Sequence, residues 1–316
     1  MKLFRVVKPG FFTTVQDLGR FGSLKFGVPI SGAMDNFSLQ IANMLVNNDY
    51  RDACLEMTLI GPELEALHNI QIAVAGDISL QINGQYSDAW QTINLMTGDI
   101  VSFGKLRTGC RAYLAIRGGI DVPLVLGSRS THVRGEIGGM QGRQLKAGDY
   151  VEGFDAAQLI DYYLVLPREF IPSFSREIDI GVILGPQSTS FTEKGLEILL
   201  SNAYVVTVEA DRMGYRLEGP QIEHSEHIDT ISEAILPGSI QVPASGKPIV
   251  TMQDAQTTGG YPKIAVVMSA DLHILGQAKP DDKICFHEID LSTAHRKLQD
   301  YKKKIGIIES RLYGRS

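Results

Sequence analysis

The chain has 316 residues, 44% of them hydrophobic and 21% charged, with a formal net charge of −6 and a sequence pI near 5.7. This length predicts two domains with ordinary cores, and the acidic balance, with Lys302-Lys303-Lys304 as the one basic cluster, argues against a nucleic-acid groove. Cys54, Cys110 and Cys285 stand far apart without CxxC spacing, which argues against a disulfide framework or a cysteine zinc site and fits a reducing cytoplasm.

From the N-terminus, Met1 to Gly10 holds only a brief apolar run before Lys8-Pro9-Gly10, too short for a signal-peptide core. No later stretch reaches membrane-spanning length, so a cytoplasmic chain without a membrane segment is expected. Asp35 is placed to cap a helix in which Phe37, Ile41, Met44 and Leu45 share one face and Asn47-Asn48 make a polar stop. Short segments rich in β-branched and aromatic residues follow at Ile70 to Ile82, Asp99 to Phe103 and Ala112 to Ile116. A second helix is expected over Thr192 to Ser201. Strands are again expected at Tyr204 to Glu209, Ser239 to Val242 and Ile264 to Met268. Ser292-Thr293 can cap a C-terminal helix carrying Leu291, Ala294, Leu298, Tyr301 and Ile305 on one stripe. The pattern is all-β with a few helices.

The chain also echoes itself. Leu59-Ile60-Gly61-Pro62-Glu63-Leu64-Glu65 returns as Leu217-Glu218-Gly219-Pro220-Gln221-Ile222-Glu223, and the Gly76-x-Ile78-x-Leu80 pattern returns as Gly238-x-Ile240-x-Val242. The order of the echoes holds while their offsets drift as loop insertions would make them. Two similar β-rich domains in tandem are expected: residues 1–155, a linker at 156–175, residues 176–288, and a C-terminal helix and tail at 289–316.

Candidate sites concentrate in two places. Gln16, Asp17 and Arg20 follow Thr13 and Thr14, and Ser31 to Asp35 leads into a helix whose N-terminal amides can receive an anion. A carboxylate there can polarise a nucleophile and an arginine can hold phosphate or carboxylate; equally, Asp17 and Arg20 can pair with each other while Asp35 only caps. In the second half, Arg212 and Arg216 stand four apart, and Gln256-Thr257-Thr258-Gly259-Gly260-Tyr261 offers hydroxyls, an amide and flexible backbone beside a strand. Together they read as a planar anion clamp, or as a tight glycine turn whose threonines satisfy local backbone groups. Arg117-Gly118-Gly119 and Ser128-Arg129-Ser130 give the first half a similar combination. The HxxH core of Glu223 to His227 reads as a solvated loop rather than a metal site, Cys54 and Cys110 as core, and Trp90 as structural.

The blocks Thr13-Thr14-Val15-Gln16-Asp17-Leu18-Gly19-Arg20, Gly27-Val28-Pro29-Ile30-Ser31-Gly32-Ala33-Met34-Asp35, Asp211-Arg212-Met213-Gly214-Tyr215-Arg216-Leu217 and Gln256-Thr257-Thr258-Gly259-Gly260-Tyr261-Pro262 resemble motifs of the biotin-dependent carboxyltransferase subdomain family, also called the allophanate hydrolase subunit 2 family. The resemblance covers nearly the whole chain. It implies a pair of cyclophilin-like β-barrel domains. It also implies one of three roles: the C subunit of a 5-oxoprolinase that works with the A and B subunits to open 5-oxoproline to glutamate with ATP and Mg; the carboxyltransferase component of a urea carboxylase or allophanate system; or a non-catalytic antagonist of a sporulation kinase inhibitor that resembles the B subunit. The 5-oxoprolinase role is the main expectation, with Asp17, Arg20 and Asp35 in the chemistry and Gln16, Ser31, Arg212, Arg216, Gln256, Thr257, Thr258 and Tyr261 around substrate or phosphate. Ser245-Gly246-Lys247-Pro248 lacks the hydroxyl residue of a P-loop, so ATP is expected at the level of the complex. No lysine lies between methionines as in a biotin carrier, so no biotin is expected on this chain.

Overall fold

The computed structural model describes residues 1–154, 163–225 and 231–314; residues 156–162 of the expected linker, and Glu226 and His227 of the HxxH stretch, lie outside the described residues. The chain divides into two compact units that interleave along the sequence. The first comprises residues 1–21, 31–173 and 305–316, and the second residues 22–30 and 174–304.

The strands of the first unit are β1 (Lys2–Lys8), β2 (Phe12–Gln16), β3 (Cys54–Thr58), β4 (Glu63–Ala66), β5 (Ile70–Ala75), β6 (Ile78–Ile82), β7 (Gln85–Ser87), β8 (Thr92–Leu95), β9 (Ile100–Leu106), β10 (Arg111–Ile116) and β11 (Tyr150–Glu152). They form a six-stranded sheet in the order β11-β1-β4-β9-β6-β7 and a five-stranded sheet in the order β2-β3-β10-β5-β8. Apolar residues of both sheets, among them Leu3, Leu64 and Val101 of the first and Leu55, Ile72 and Leu114 of the second, bury into one shared core. Helix α1 (Asn36–Leu45) lies against β5 and β10. Asp35 caps it as expected, its side chain accepting from the Ser38 amide at 3.0 Å. The apolar run expected from Ile70 to Ile82 is two strands, broken at Gly76, whose φ of 146° is a backbone state that L side chains rarely adopt.

The second unit contains β12 (Glu177–Leu184), α2 (Glu193–Ser201), β13 (Ala203–Val206), β14 (Gly214–Glu218), β15 (Glu233–Ala234), β16 (Ser239–Gln241), β17 (Ile249–Thr251), β18 (Thr258–Gly259), β19 (Lys263–Val267), α3 (Leu272–Leu275) and β20 (Lys283–Glu288). Seven of these strands close a barrel, β12-β19-β16-β17-β14-β13-β20, and β15 and β18 form a separate two-stranded ribbon. Thr192 caps α2 through the Gly195 amide at 2.9 Å. The last helix, α4 (Leu291–Tyr313), is capped by Asp290, which accepts from the Thr293 amide at 2.6 Å; the cap expected at Ser292-Thr293 stands two residues earlier than Ser292. Among the described residues no helix is long and apolar enough to cross a membrane.

The chain is therefore β-rich with few helices, as its sequence reads. Gly76 precedes β6, which pairs with β7 and β9, and Gly238 precedes β16, which pairs with β17 and β19. The first strand meets the last in both units, but β1 and β11 run antiparallel while β12 and β20 run parallel.

Leu114 is fully buried at the centre of the five-stranded sheet, between β3 and β5. Truncation of a side chain this enclosed removes burial and leaves a cavity, so Leu114→Ala should cost about 2–5 kcal/mol of unfolding free energy, measured by urea denaturation of the isolated chain.

Candidate functional site

In the first unit, strand β2 carries Gln16 to its end and the chain then turns at Asp17. The Asp17 carboxylate accepts from the Gly19 amide at 2.8 Å, the Arg129 amide at 2.6 Å, the Ser128 hydroxyl at 2.7 Å and the Ser130 hydroxyl at 2.5 Å. Its backbone amide donates to Ser130 Oγ at 2.9 Å and its carbonyl accepts from the Ala33 amide at 2.8 Å. A buried carboxylate needs this number of donors. The result is a junction where three segments, 16–20, 31–35 and 128–131, are held to one side chain and its backbone.

Arg20 is fully buried and donates from Nε to the Val125 carbonyl at 3.0 Å and from Nη2 to the Ser130 carbonyl at 2.8 Å. Gly138 sits against it: a Cβ there would come within 2.9 Å of Arg20 Nη2, and the glycine holds φ at 67°. Gln16 donates from Nε2 to Thr14 Oγ1 at 3.0 Å and to the Thr131 carbonyl at 3.1 Å, while its Oε1 is buried without a hydrogen-bond partner among the described residues. The Ser31 hydroxyl is likewise buried without a partner there, on a residue with φ of 55°. Left-handed backbone at a serine and buried polar atoms without partners are both costly, and both gather at functional sites.

Asp35 joins a second network. Its carboxylate also accepts from the Ser38 hydroxyl at 2.6 Å, and its backbone amide donates to the Tyr113 hydroxyl at 2.8 Å. Tyr113 in turn donates to Glu56 Oε2 at 2.7 Å, which also accepts from the Met34 amide at 2.9 Å, and the Arg111 guanidinium lies 3.7 Å from Glu56 Oε1. Burial, with the Glu56 charge beside it, pushes the Tyr113 hydroxyl well above the usual phenol range. Neither Glu56 nor Tyr113 was singled out from sequence. The signal available was a charged residue inside the apolar strand Cys54-Leu55-Glu56-Met57, fully buried here.

In the second unit the two arginines expected as one clamp take different partners. Arg212 is buried and its fork closes on Asp254, Nε at 2.8 Å and Nη2 at 3.2 Å. Arg216 points outward from β14 and pairs through Nε with Glu209 at 3.0 Å, its side chain 59% exposed. Four residues of spacing do not bring side chains together across a turn and a strand as they do on a helix. Arg216 lines a surface cavity of about 260 Å³ with Thr207, Glu218, Ser245 and Lys247.

Thr258-Gly259 pairs with Glu233-Ala234 in the β15–β18 ribbon. Gln256, Thr258 and Tyr261 are exposed and Thr257 is half-buried; none of these four side chains makes a hydrogen bond among the described residues. Gly259 is required by close approach rather than by a left-handed turn, because a Cβ there would run into Ile235 Cδ1. Beneath the ribbon, the nearly buried Lys263 donates to Glu233 Oε2 at 2.9 Å, and Gln187 Nε2 reaches the same oxygen at 2.7 Å. Lys263, then Gln187, holds the Glu233 carboxyl below the usual carboxylate range. This lysine was also missed from sequence, although it directly follows the Gln256 to Pro262 block.

His224 Nε2 lies 3.0 Å from the Val242 carbonyl and the ring packs on Phe191. Cys54 and Cys110 are buried and all three cysteines are free. Among the described residues no cluster of three or more His, Cys, Asp or Glu is placed to hold a metal ion.

Residues 26–288 match the family model described as "Carboxyltransferase domain, subdomain A and B". The chain is similar to the 5-oxoprolinase C subunit of Escherichia coli K12, 33% identical over 98% of this chain and 99% of that one, and to the 5-oxoprolinase C subunit of Haemophilus influenzae, 35% identical over 89% of each. It is also 35% identical to urea amidolyase of Lachancea kluyveri, covering 97% of this chain but 18% of that protein. In structure it resembles the Kluyveromyces lactis urea carboxylase, with a TM-score of 0.91 and 33% identity over 98% of this chain and 29% of that one. The chain belongs to the carboxyltransferase-domain family of subdomains A and B.

Proposed function

We propose that the chain acts as the C subunit of an ATP-dependent 5-oxoprolinase, converting 5-oxo-L-proline to L-glutamate together with the A and B subunits. The observation that carries this reading is the match to two relatives of that name along most of both chains. The chemistry of a lactam sets the requirement. A five-membered cyclic amide is unstrained and resonance-stabilised, so its carbonyl needs activation before water can attack; ATP with Mg, acting in the assembled complex, would supply that activation. The two buried arginines named as anion ligands fit a triphosphate poorly, because the Arg212 fork is closed on Asp254 and Arg20 donates to two carbonyls. The phosphates are therefore proposed to sit elsewhere in the complex, and no step is assigned to them on this chain. Asp17, Arg20 and Asp35 are proposed to frame the site, with Gln16 Oε1 and Ser31 Oγ as the groups left to meet a substrate.

A second reading, the carboxyltransferase component of a urea carboxylase, is favoured by the structural likeness to the Kluyveromyces lactis enzyme. One experiment separates the two. Co-purified with the A and B subunits, the chain should support 5-oxoproline-dependent ATP hydrolysis and glutamate release. Turnover indifferent to this chain would remove the reading, and urea-dependent turnover with a biotin carrier would establish the second.

The Gln256–Tyr261 loop has a separate test in the reconstituted complex. Its threonine hydroxyls make no hydrogen bond among the described residues, so Thr257→Val and Thr258→Val should leave melting unchanged. If the hydroxyls meet substrate, turnover falls by about tenfold, equivalent to about 1.4 kcal/mol of transition-state stabilisation. Full turnover in both variants would return the loop to a structural role.

A further inference from the structure

The polar groups already described are mostly closed on internal partners. A different group of residues in the first unit is open. Asp52 is half-buried; its carboxyl takes a backbone hydrogen bond from Asp49 and makes no ion pair among the described residues, which leaves acceptor positions uncommitted. Arg129 is half-buried, its Nε atom fully buried and without a hydrogen-bond partner there. Asp52 and Phe154 both lie against one glycine. The Cβ position of Gly119, whose φ is 85°, lies 3.8 Å from Asp52 Oδ2 and 3.9 Å from Phe154 Cδ2. The Arg129 guanidinium in turn stands 5.5 Å from the centroid of the Phe154 ring.

These residues are held in place, not merely adjacent. The Arg129 backbone is fixed by its amide bond to Asp17 and by the carbonyl it offers to Gly139 at 3.0 Å. The Asp52 backbone is fixed by the carbonyl it offers to Asn43 Nδ2 at 2.7 Å, and the Gly118 turn by its amide bond to Asn48 Oδ1 at 2.8 Å. An acceptor-only carboxylate and a donor-only guanidinium, kept apart beside a flat aromatic ring, match a planar ligand that offers one donor and one acceptor. A five-membered lactam is held in the cis-amide form, so its N–H and C=O lie on the same edge; urea presents the same pair. Simple carboxylates lack the N–H, and amines lack the carbonyl.

We propose that Asp52 and Arg129, with Gly119 and Phe154 as walls, bind the cis-amide or ureido edge of a small substrate, Asp52 accepting its N–H and Arg129 donating to its carbonyl oxygen. This deepens the proposed function and rests on it only for the choice of 5-oxoproline as the first probe. Arg129 then orients and polarises the carbonyl that must be attacked. Burial, followed by the Asp49 charge, pushes the Asp52 carboxyl above the usual carboxylate range, while Arg129 and Arg51 act against that shift. A raised folded-state value means that the stability linked to this group is present at acid pH and lost as pH rises through that value. Removing the charge therefore stabilises the fold at neutral pH while removing the acceptor.

The test measures binding to the full-length chain by ligand-observed NMR at millimolar 5-oxoproline, its lactone analogue, in which oxygen replaces the N–H, and urea. Wild type should bind the lactam at least tenfold more tightly than the lactone. Arg129→Lys keeps the charge but not the fork, and should weaken the lactam at least tenfold with an unchanged Tm. Asp52→Asn should weaken it similarly while raising Tm at neutral pH, a pairing that a purely structural residue would not give. Equal affinity for lactam and lactone, unchanged affinity in both variants, or no binding of lactam or urea to wild type would overturn the site. Binding of urea in place of the lactam, lost in the same two variants, would keep the site and remove the 5-oxoprolinase reading. Full 5-oxoproline turnover by a reconstituted Arg129→Lys complex would keep that reading and overturn the site.

Discussion

Four donors converge on the Asp17 carboxylate, two of them hydroxyls and two backbone amides, and the geometry of the first unit's polar region follows from that convergence. An ionised carboxylate taken from water and left without donors is disfavoured by several kcal/mol. The fold therefore has to keep the Ser128–Ser130 segment against the end of β2. The same residue's carbonyl takes the Ala33 amide, so the segment leading into α1 is tied to the same point. Gly32 makes this possible, since a Cβ there would lie 2.8 Å from the Gly19 backbone. One side chain thus sets where Ser31, Asp35 and Arg129 stand.

The neighbouring network works by a different balance. Glu56 is fully buried with Tyr113 and the Met34 amide on one oxygen and Arg111 near the other. Replacing any member leaves another polar group stranded in a dry sheet, where the penalty exceeds the modest net worth of the bond itself. Its structural effect is to pin the Met34-Asp35 backbone and so to fix the start of α1. Asp17 and Glu56 together hold the Ser31–Asp35 segment from both ends, which is how Ser31 can be kept at a φ that costs it energy.

Much of this was legible in the sequence where the determining contacts are local. Asp35 as a cap, the stripe Phe37, Ile41, Met44 and Leu45, the helix expected from Thr192 to Ser201, and the apolar runs of β10 and β19 depend on neighbours a few residues away, and they formed close to where they were read, with Thr192 itself as the cap of α2. The α4 cap moved only from Ser292-Thr293 to Asp290. What could not be read depends on sequence-distant partners. Glu56 meets Tyr113 across 57 residues, and Arg129 meets Asp17 across 112. Arg212 and Arg216 show the opposite error: their closeness in sequence implied a shared role, whereas one turns inward to Asp254 and the other outward to Glu209. Gly259 was read for backbone freedom, but it is demanded by the packing of Ile235.

The same contrast separates groups that build the fold from groups able to act on something else. An arginine whose fork is already closed, as Arg212 is on Asp254, has little left to offer a ligand without first breaking a charge-assisted pair inside the protein. Arg129 differs because its backbone, not its guanidinium, carries the structural bond. The Asp17 junction commits two serine hydroxyls and a main-chain amide to fixing that loop, and in doing so leaves the charged head of Arg129 beside Phe154. A rigid support with an uncommitted head group is the arrangement that preorganised recognition requires, because the cost of orienting the side chain is met during folding rather than at each encounter.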